Sequence, residues 1–420
     1  MSVTPPGAPT PHAPPPPAET VVYRGGVLVD GTGSPARPGT SVVVSGEQIT
    51  EVAPDASQRV ADGARVVDLG GRFVLPGLVD THQHLATPPD RPLAEATLRR
   101  DLRGGVTAIR IMADDLRQIA DLARAARVGE VAAPDVRYAA LTAGPSFFDD
   151  PRTAQVSQGE TPGAVPWMQA ITPDTDLRLA VALARGTHAT AIKIYADLPG
   201  GTVAALTAEA HRQGLRVWAH AAVFPATPAQ VVRAGVDTVS HVTMMAFQEP
   251  SRPLTTYADK PPIDHTRFLE GSHPAVAAVF ADMRARGTVL DATGSMWDAE
   301  SPSGKLAAVL TAQAHRAGVD VSTGTDSDPD PERAYPPVLD EVAFLVERCG
   351  FTPLEAIRSA TLVGARALAA EHEMGTVEPG KLANLLVLAD DPLRDIRNLH
   401  TAELVVKRGH AHALADRFAT

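Results

Sequence analysis

Cysteine is all but absent. Cys349 is the only one in 420 residues, so no disulfide can form within the chain, and a chain of this length can bury a large core without one. Lysine is nearly as scarce: of 38 basic side chains only five are lysines, namely Lys193, Lys260, Lys305, Lys381 and Lys407. Surface cations are therefore almost always arginine, and a lysine in an apolar setting calls for its own explanation. Aromatic residues make up 4% of the chain. No apolar run approaches the roughly 18 residues that a membrane span needs. Positive charge is in deficit, with a formal net charge of −11. That argues against a nucleic-acid binder, which would present a basic stripe to phosphates. The opening Met1-Ser-Val-Thr-Pro-Pro has neither a basic leader nor an apolar core, so no secretory signal is expected and the expected location is cytoplasmic.

What is present falls into distinct textures. Residues 1–19 hold eight prolines and few large apolar side chains, the composition of a disordered or polyproline-like arm. From Val21 come short β-branched runs split by Gly, Pro and Asp: Val21–Tyr23, Val27–Val29, Ser41–Val44, Ile49–Val52 and Val66–Asp68. They read as small antiparallel strands. The same texture returns at Asn384–Leu388 and Glu403–Lys407. Two β-rich ends around a different middle predict one small β-sandwich domain, residues 20–75 plus 375–420, flanking a domain over 76–374. That middle alternates apolar runs with amphipathic stretches. Strands are expected at Leu78–Thr81, Val106–Ile111, Val136–Leu141, Ala191–Tyr195, Arg216–Ala219, Thr238–Ser240, Thr288–Asp291 and Val319–Thr323. Helical patterns such as Thr202–Arg212 and Thr227–Ala234 stop at Gly214 and Gly235, as helices do. Eight alternating strands predict an α/β fold, a (β/α)8 TIM barrel. An open doubly wound sheet is the weaker alternative, because no Gly-x-Gly-x-x-Gly turn follows an early strand. Two connections, Gly144–Pro173 and Met244–His273, are far longer than the usual 2–6 residues and read as lids or binding loops.

The chemistry-bearing residues gather at predicted strand ends. In Leu75-Pro-Gly-Leu-Val-Asp-Thr-His-Gln-His84 a strand runs into His82 and His84, which at period two point to one side. Two neutral imidazoles there suit a divalent metal; a pair of loop histidines is the plainer reading. Lys193 lies inside the apolar strand Ala191-Ile-Lys-Ile-Tyr195, where a free ammonium is costly. It either finds a partner or stays neutral long enough to form a carbamate with CO2. His220 and His241 end the next two strands, and Asp326 ends the last. In a barrel all six converge on the C-terminal face, where active sites lie.

With these residues the chain resembles the amidohydrolase superfamily of metal-dependent hydrolases, over about residues 20–412. The carriers are Pro76-Gly-Leu-Val-Asp-Thr-His-Gln-His84, Lys193, His220, His241, Gly324-Thr-Asp326 and Gly375-Thr-Val-Glu-Pro-Gly-Lys-Leu-Ala-Asn384. Within it the chain is most similar to the imidazolonepropionase-like and Xaa-Pro-dipeptidase-like branch. It departs from the usual pattern at Asn384 (commonly Asp), at Ser240-His241-Val242 (commonly Glu-His-Gly) and at His220-Ala-Ala-Val. These departures spare the candidate ligands and bear on the substrate class. The resemblance implies two metal ions, zinc by expectation. His82, His84 and Asp326 would hold the inner one, His220 and His241 the outer one, and carboxylated Lys193 would bridge them. A hydroxide shared by the ions would attack the substrate, with Asp326 as acid and base.

The expected substrate is a small molecule, and the expected reaction is hydrolysis of a C–N bond in an N-acyl amino acid, a dipeptide, a cyclic amide or another amide. A heterocycle deaminase or lactone hydrolase on the same site is the alternative; the residues after His220, Ala-Ala-Val-Phe, lack the acid that a deaminase uses. A non-catalytic scaffold would have lost ligands, and none is lost. Six of the eighteen aromatics fall in the two long loops: Phe147, Phe148, Trp167, Phe247, Tyr257 and Phe268. Phe147, Phe148, Phe247 and Trp297 are expected to line the substrate pocket. Tyr195, on the face of Lys193, is expected to bond the substrate or the oxyanion. Arg152, Arg252 and Arg267 are available to a carboxylate, Cys349 reads as a core residue, and a homo-oligomer is the expected state.

Overall fold

The computed structural model describes residues 19–414. Eight parallel strands form the barrel: β1 (Leu78–Gln83), β2 (Val106–Met112), β3 (Asp135–Ala143), β4 (Ala191–Ile194), β5 (Arg216–His220), β6 (Thr238–Ser240), β7 (Val289–Asp291) and β8 (Val321–Ser322). They pair in sequence order. The ring closes where the Thr81 amide donates to the Thr323 carbonyl (2.9 Å) and Gln83 bridges Ser327. β1 and β2 are buried at every position, which is why they read as apolar runs without alternation. Helices on the outside supply the second layer. One spans Gly200–Arg212, and another, Pro228–Arg233, starts on a capping box of Thr227 and Gln230.

Both chain ends build a second, eight-stranded sheet from Thr20–Leu28, Arg37–Ser45, Gln48–Pro54, Arg65–Asp68, Phe73–Pro76, Leu385–Leu388, Ala402–Lys407 and His410–Ala413. Val21, Tyr23, Val42 and Ile49 from one end share a core with Leu385, Val387 and Leu404 from the other. The expectation of purely antiparallel strands is corrected. Thr20–Leu28 pairs in parallel with Arg65–Asp68 and with Phe73–Val74, because the chain crosses over between them instead of turning back in a hairpin. The proline-rich arm lies outside the described residues apart from Glu19, whose carboxylate meets Arg65 at 3.0 Å. Among the described residues no helix is long and apolar enough to cross a membrane.

The two long connections have structure of their own. The first carries a 3-10 turn (Pro145–Asp149), a short helix (Pro151–Gln155) and a hairpin of Ala164–Val165 with Met168–Ala170. The inner hairpin strand pairs with β3, Met168 beside Leu141, so it extends the barrel wall at the mouth. The second carries 3-10 turns at Val242–Gln248 and His265–Phe268.

Candidate metal centre

The strand ends bring the six sequence-predicted donors to the mouth of the barrel. Asp326 is the centre. Its Oδ1 lies 3.0 Å from His82 Nε2 and 3.2 Å from His84 Nε2, and its Oδ2 lies 3.9 Å from His241 Nδ1. Donor atoms of His82, His241 and Asp326 all fall within 4.8 Å of one another. The His220 ring packs 4.8 Å from that of His241. Lys193 is buried and donates to Ser240 Oγ at 3.3 Å. Two donors occupy the left-handed backbone region, His241 at φ 71° and Asp326 at φ 51°, a strain characteristic of functional sites. Gly324 permits the close approach of the last loop. A Cβ there would meet Asp291 Oδ1 at 1.8 Å and His82 Cβ at 2.8 Å.

The imidazoles of His82 and His84 are gripped from behind. His82 Nδ1 meets Asp291 Oδ2 at 2.8 Å, and His84 Nδ1 meets Asp114 Oδ1 at 2.7 Å. Asp114 also accepts from the Leu85 and Ala86 amides and the Thr87 hydroxyl. Asp291 in turn accepts from Thr81 Oγ1, Ser240 Oγ and Arg110 Nη2 (3.0, 2.9 and 3.1 Å). Arg110 is buried inside the barrel, over the Trp218 ring at 4.5 Å. Sequence reasoning missed Asp291, Asp114 and Arg110. Asp291 closes a predicted strand just as Asp326 does, and Arg110 is a charge inside an apolar strand, so a signal existed for both.

The electrostatics follow from this crowding. Burial pushes the Asp326 carboxyl up, but His82 and His241 outweigh it and hold the group well below the usual carboxylate range. Burial likewise opposes ionisation of Asp291, which His82 and Arg110 bring down to about 2. Burial and the neighbouring Arg110 lower the Lys193 amine to about 7. Burial and Lys193 hold His220 well below its ordinary value, and burial brings His241 to about 3 against the pull of Asp326. His84 goes the other way: burial lowers it, but Asp114 and Asp326 raise it to about 10. A metal binding there would displace that proton. Burial and Tyr257 raise the Tyr195 phenol well above its usual value.

Beside the cluster is a cavity of about 310 Å³, lined by His84, Asp326, Asp328 and Arg152 and by an apolar wall that includes Leu141, Phe147, Met168, Tyr195 and Met296. The Phe147 ring sits 4.4 Å from Tyr195, which sits 4.0 Å from His220. The other expected lining aromatics lie elsewhere. Phe247 is buried against Phe224 and Leu254, in a small core that the second long connection shares with Ala222 and Phe224 from the loop after β5. Phe148 packs behind Phe147, ring to ring at 5.7 Å. Trp297 is 39% exposed and borders a separate hollow with Phe344 and Arg348. Of the three arginines, Arg252 pairs with Asp259 and Arg267 with Glu249, and only Arg152 lines the cavity. Cys349 is buried, as expected.

Residues 73–411 match the amidohydrolase family, and the chain belongs to it. It is 28% identical over 390 residues to an adenine deaminase of Rubrobacter xylanophilus, covering 90% of this chain and 55% of that protein, so it spans about half the length of that relative. It is 26% identical over 362 residues to an imidazolonepropionase of Streptomyces avermitilis, covering 83% of this chain and 80% of the relative. Its fold superposes on a Xaa-Pro dipeptidase with methionine bound in the active site, with a TM-score of 0.72, 22% identity, and coverage of 94% of this chain and 100% of the other.

Proposed function

We propose that this chain is a metal-dependent hydrolase that cleaves a C–N bond in a small amide: an N-acyl amino acid, a dipeptide or a cyclic amide. The observation that carries the reading is the convergence of three imidazoles on the Asp326 carboxylate at the barrel mouth. Family membership and the names of the relatives, both of which act on C–N bonds, support it.

The donor set fits divalent ions. The Nδ1 of His220 is buried with no hydrogen-bond partner among the described residues, an arrangement that is costly unless something binds it. His82 and His84 have their other nitrogens tied to carboxylates, as metal-ligating histidines do. His82, His84 and Asp326 would hold one ion and His220 and His241 a second, with Lys193 between them as its carbamate. Ions bound there supply hydroxide near neutral pH and polarise the substrate carbonyl.

The remaining steps belong to the chain. Lys193, lowered to about 7, offers a free amine at neutral pH. Its nitrogen bonds to CO2 and releases a proton, leaving an anionic ligand. Asp326 is ionised and stands beside both histidines of the first strand, so it can take the proton of the attacking water and pass it to the departing nitrogen. The Tyr195 phenol stays protonated and can donate to the substrate oxygen. The apolar wall of Phe147, Leu141 and Met168 suits a bulky apolar substituent. A deaminase reading draws on the adenine deaminase relative, but residues 221–224 are Ala-Ala-Val-Phe, all buried. Turnover of the zinc-loaded protein on a panel of N-acyl amino acids, dipeptides, lactams, lactones and aminopurines tests the proposal. Cleavage of at least one amide is expected, and activity confined to lactones or to ammonia release would contradict it.

A further inference from the structure

One buried acid near the centre has no part in the steps above. Glu341, on helix Val338–Cys349, is wholly buried, and no Lys or Arg pairs with it among the described residues. Its Oε1 accepts from the Gly294 amide at 3.0 Å and its Oε2 from the Ser295 amide at 2.7 Å. Both amides belong to the loop that leaves β7. The same helix presses on that loop a second time, since a Cβ on Gly294 would meet the Phe344 ring at 2.2 Å. One residue earlier, Thr293 is held at φ 49°, a conformation that β-branched residues avoid. Its hydroxyl meets His241 Nδ1 at 2.9 Å. A continuous line of contacts thus runs from the Glu341 carboxyl through two backbone amides to Thr293 and on to the His241 imidazole. A group bonded to one ring nitrogen of a histidine sets its tautomer and direction.

We propose that Glu341 is a positioning residue for His241. Its carboxyl clamps residues 294–295, which keeps Thr293 in its unfavourable conformation and its hydroxyl on the imidazole. The inference rests on His241 being one of the metal-holding groups.

A double-mutant cycle tests it: Thr293→Val, Glu341→Gln and the double variant, with zinc affinity measured by competition against a chelator. A crystal structure of Glu341→Gln is the second readout. The valine keeps the shape of threonine and removes only the contact to His241. The glutamine accepts from one amide and presents an NH2 to the other. Each single variant is expected to bind zinc about tenfold more weakly, the range seen when a group behind a ligand is lost. The double variant should be no worse than the weaker single, because both changes cut one line of contacts. The Glu341→Gln structure should show the Thr293–His241 contact opened. Additive losses, zinc affinity unchanged from wild type, or an undisturbed His241 in the structure would overturn the proposal. If Glu341→Gln does not fold, Glu341→Asp keeps the carboxyl but shortens the reach and should show the same non-additivity with Thr293→Val. A wild type that binds no zinc contradicts the metal reading instead, and the Glu341→Gln structure then decides the clamp by itself.

Discussion

At the inner end of the cavity, His82, His84, His241 and Asp326 stand at or just past the ends of barrel strands, and the Nδ1 of each histidine is bonded to Asp291, Asp114 or Thr293. At the outer end, Phe147, Arg152 and Met168 come from the long insert after β3, and Met296 from the loop after β7. Phe147 leans on Phe148 and Tyr195, and Arg152 pairs with Asp150 of its own turn. The inner end is over-determined by a rigid scaffold. The outer end is shaped by loops, chiefly the insert after β3. Reaction type and substrate preference should therefore respond to different substitutions.

The largest effect is expected at the inner end. Asp326→Asn can still touch a metal through its oxygen but cannot accept a proton, so turnover should fall about 10²–10⁴-fold with the fold intact. Activity within about threefold of wild type would remove Asp326 from its role as acid and base. Next comes Phe247, which is buried in a small core between the insert and the loop after β5. Phe247→Ala should cost about 3–5 kcal/mol of stability, read as a lower denaturation midpoint, with the ratio of bulky to small substrates unchanged. Phe147→Ala should do the reverse. It removes one buried ring contact from the cavity, about 1.5–3 kcal/mol, seen as a drop in kcat/KM confined to bulky apolar substrates at constant metal content. Equal losses on small and bulky substrates would show that the inner and outer ends are not separable.

The smallest effect concerns pH. Burial raises the Glu341 carboxyl from 4.5 to about 7, so between those values the folded protein holds a proton that the unfolded chain has lost. This contribution is full below 4.5 and is lost as pH rises through 7. Glu341→Gln cannot ionise, and its melting temperature should fall less than that of wild type between pH 5 and 8. A parallel decline in both proteins would contradict the raised value.

The difference between the two ends also explains what could be read from the letters. The eight strands and the gathering of His82, His84, Lys193, His220, His241 and Asp326 at one end of the barrel were legible because burial on both faces leaves apolar runs, and barrel geometry fixes where each run ends. Asp291 was legible by the same rule but looked like an ordinary strand terminus. Thr293, Glu341 and Asp114 were not, because their roles depend on contacts between segments distant in sequence. Phe247 and Trp297 were misplaced for a related reason. An aromatic in a long insert can face the cavity or the insert's own core, and composition does not distinguish the two. The crossover that makes two pairings of the terminal sheet parallel was hidden as well, since short β-branched runs carry no sign of strand direction.

Metal content tests most directly the proposal that the strand ends would hold two ions with Lys193 between them. Elemental analysis of wild-type protein produced in zinc-supplemented medium should give close to two divalent ions per chain, and Lys193→Ala should lower that number. A reproducible value near one, with Lys193→Ala changing neither metal content nor activity, would contradict it.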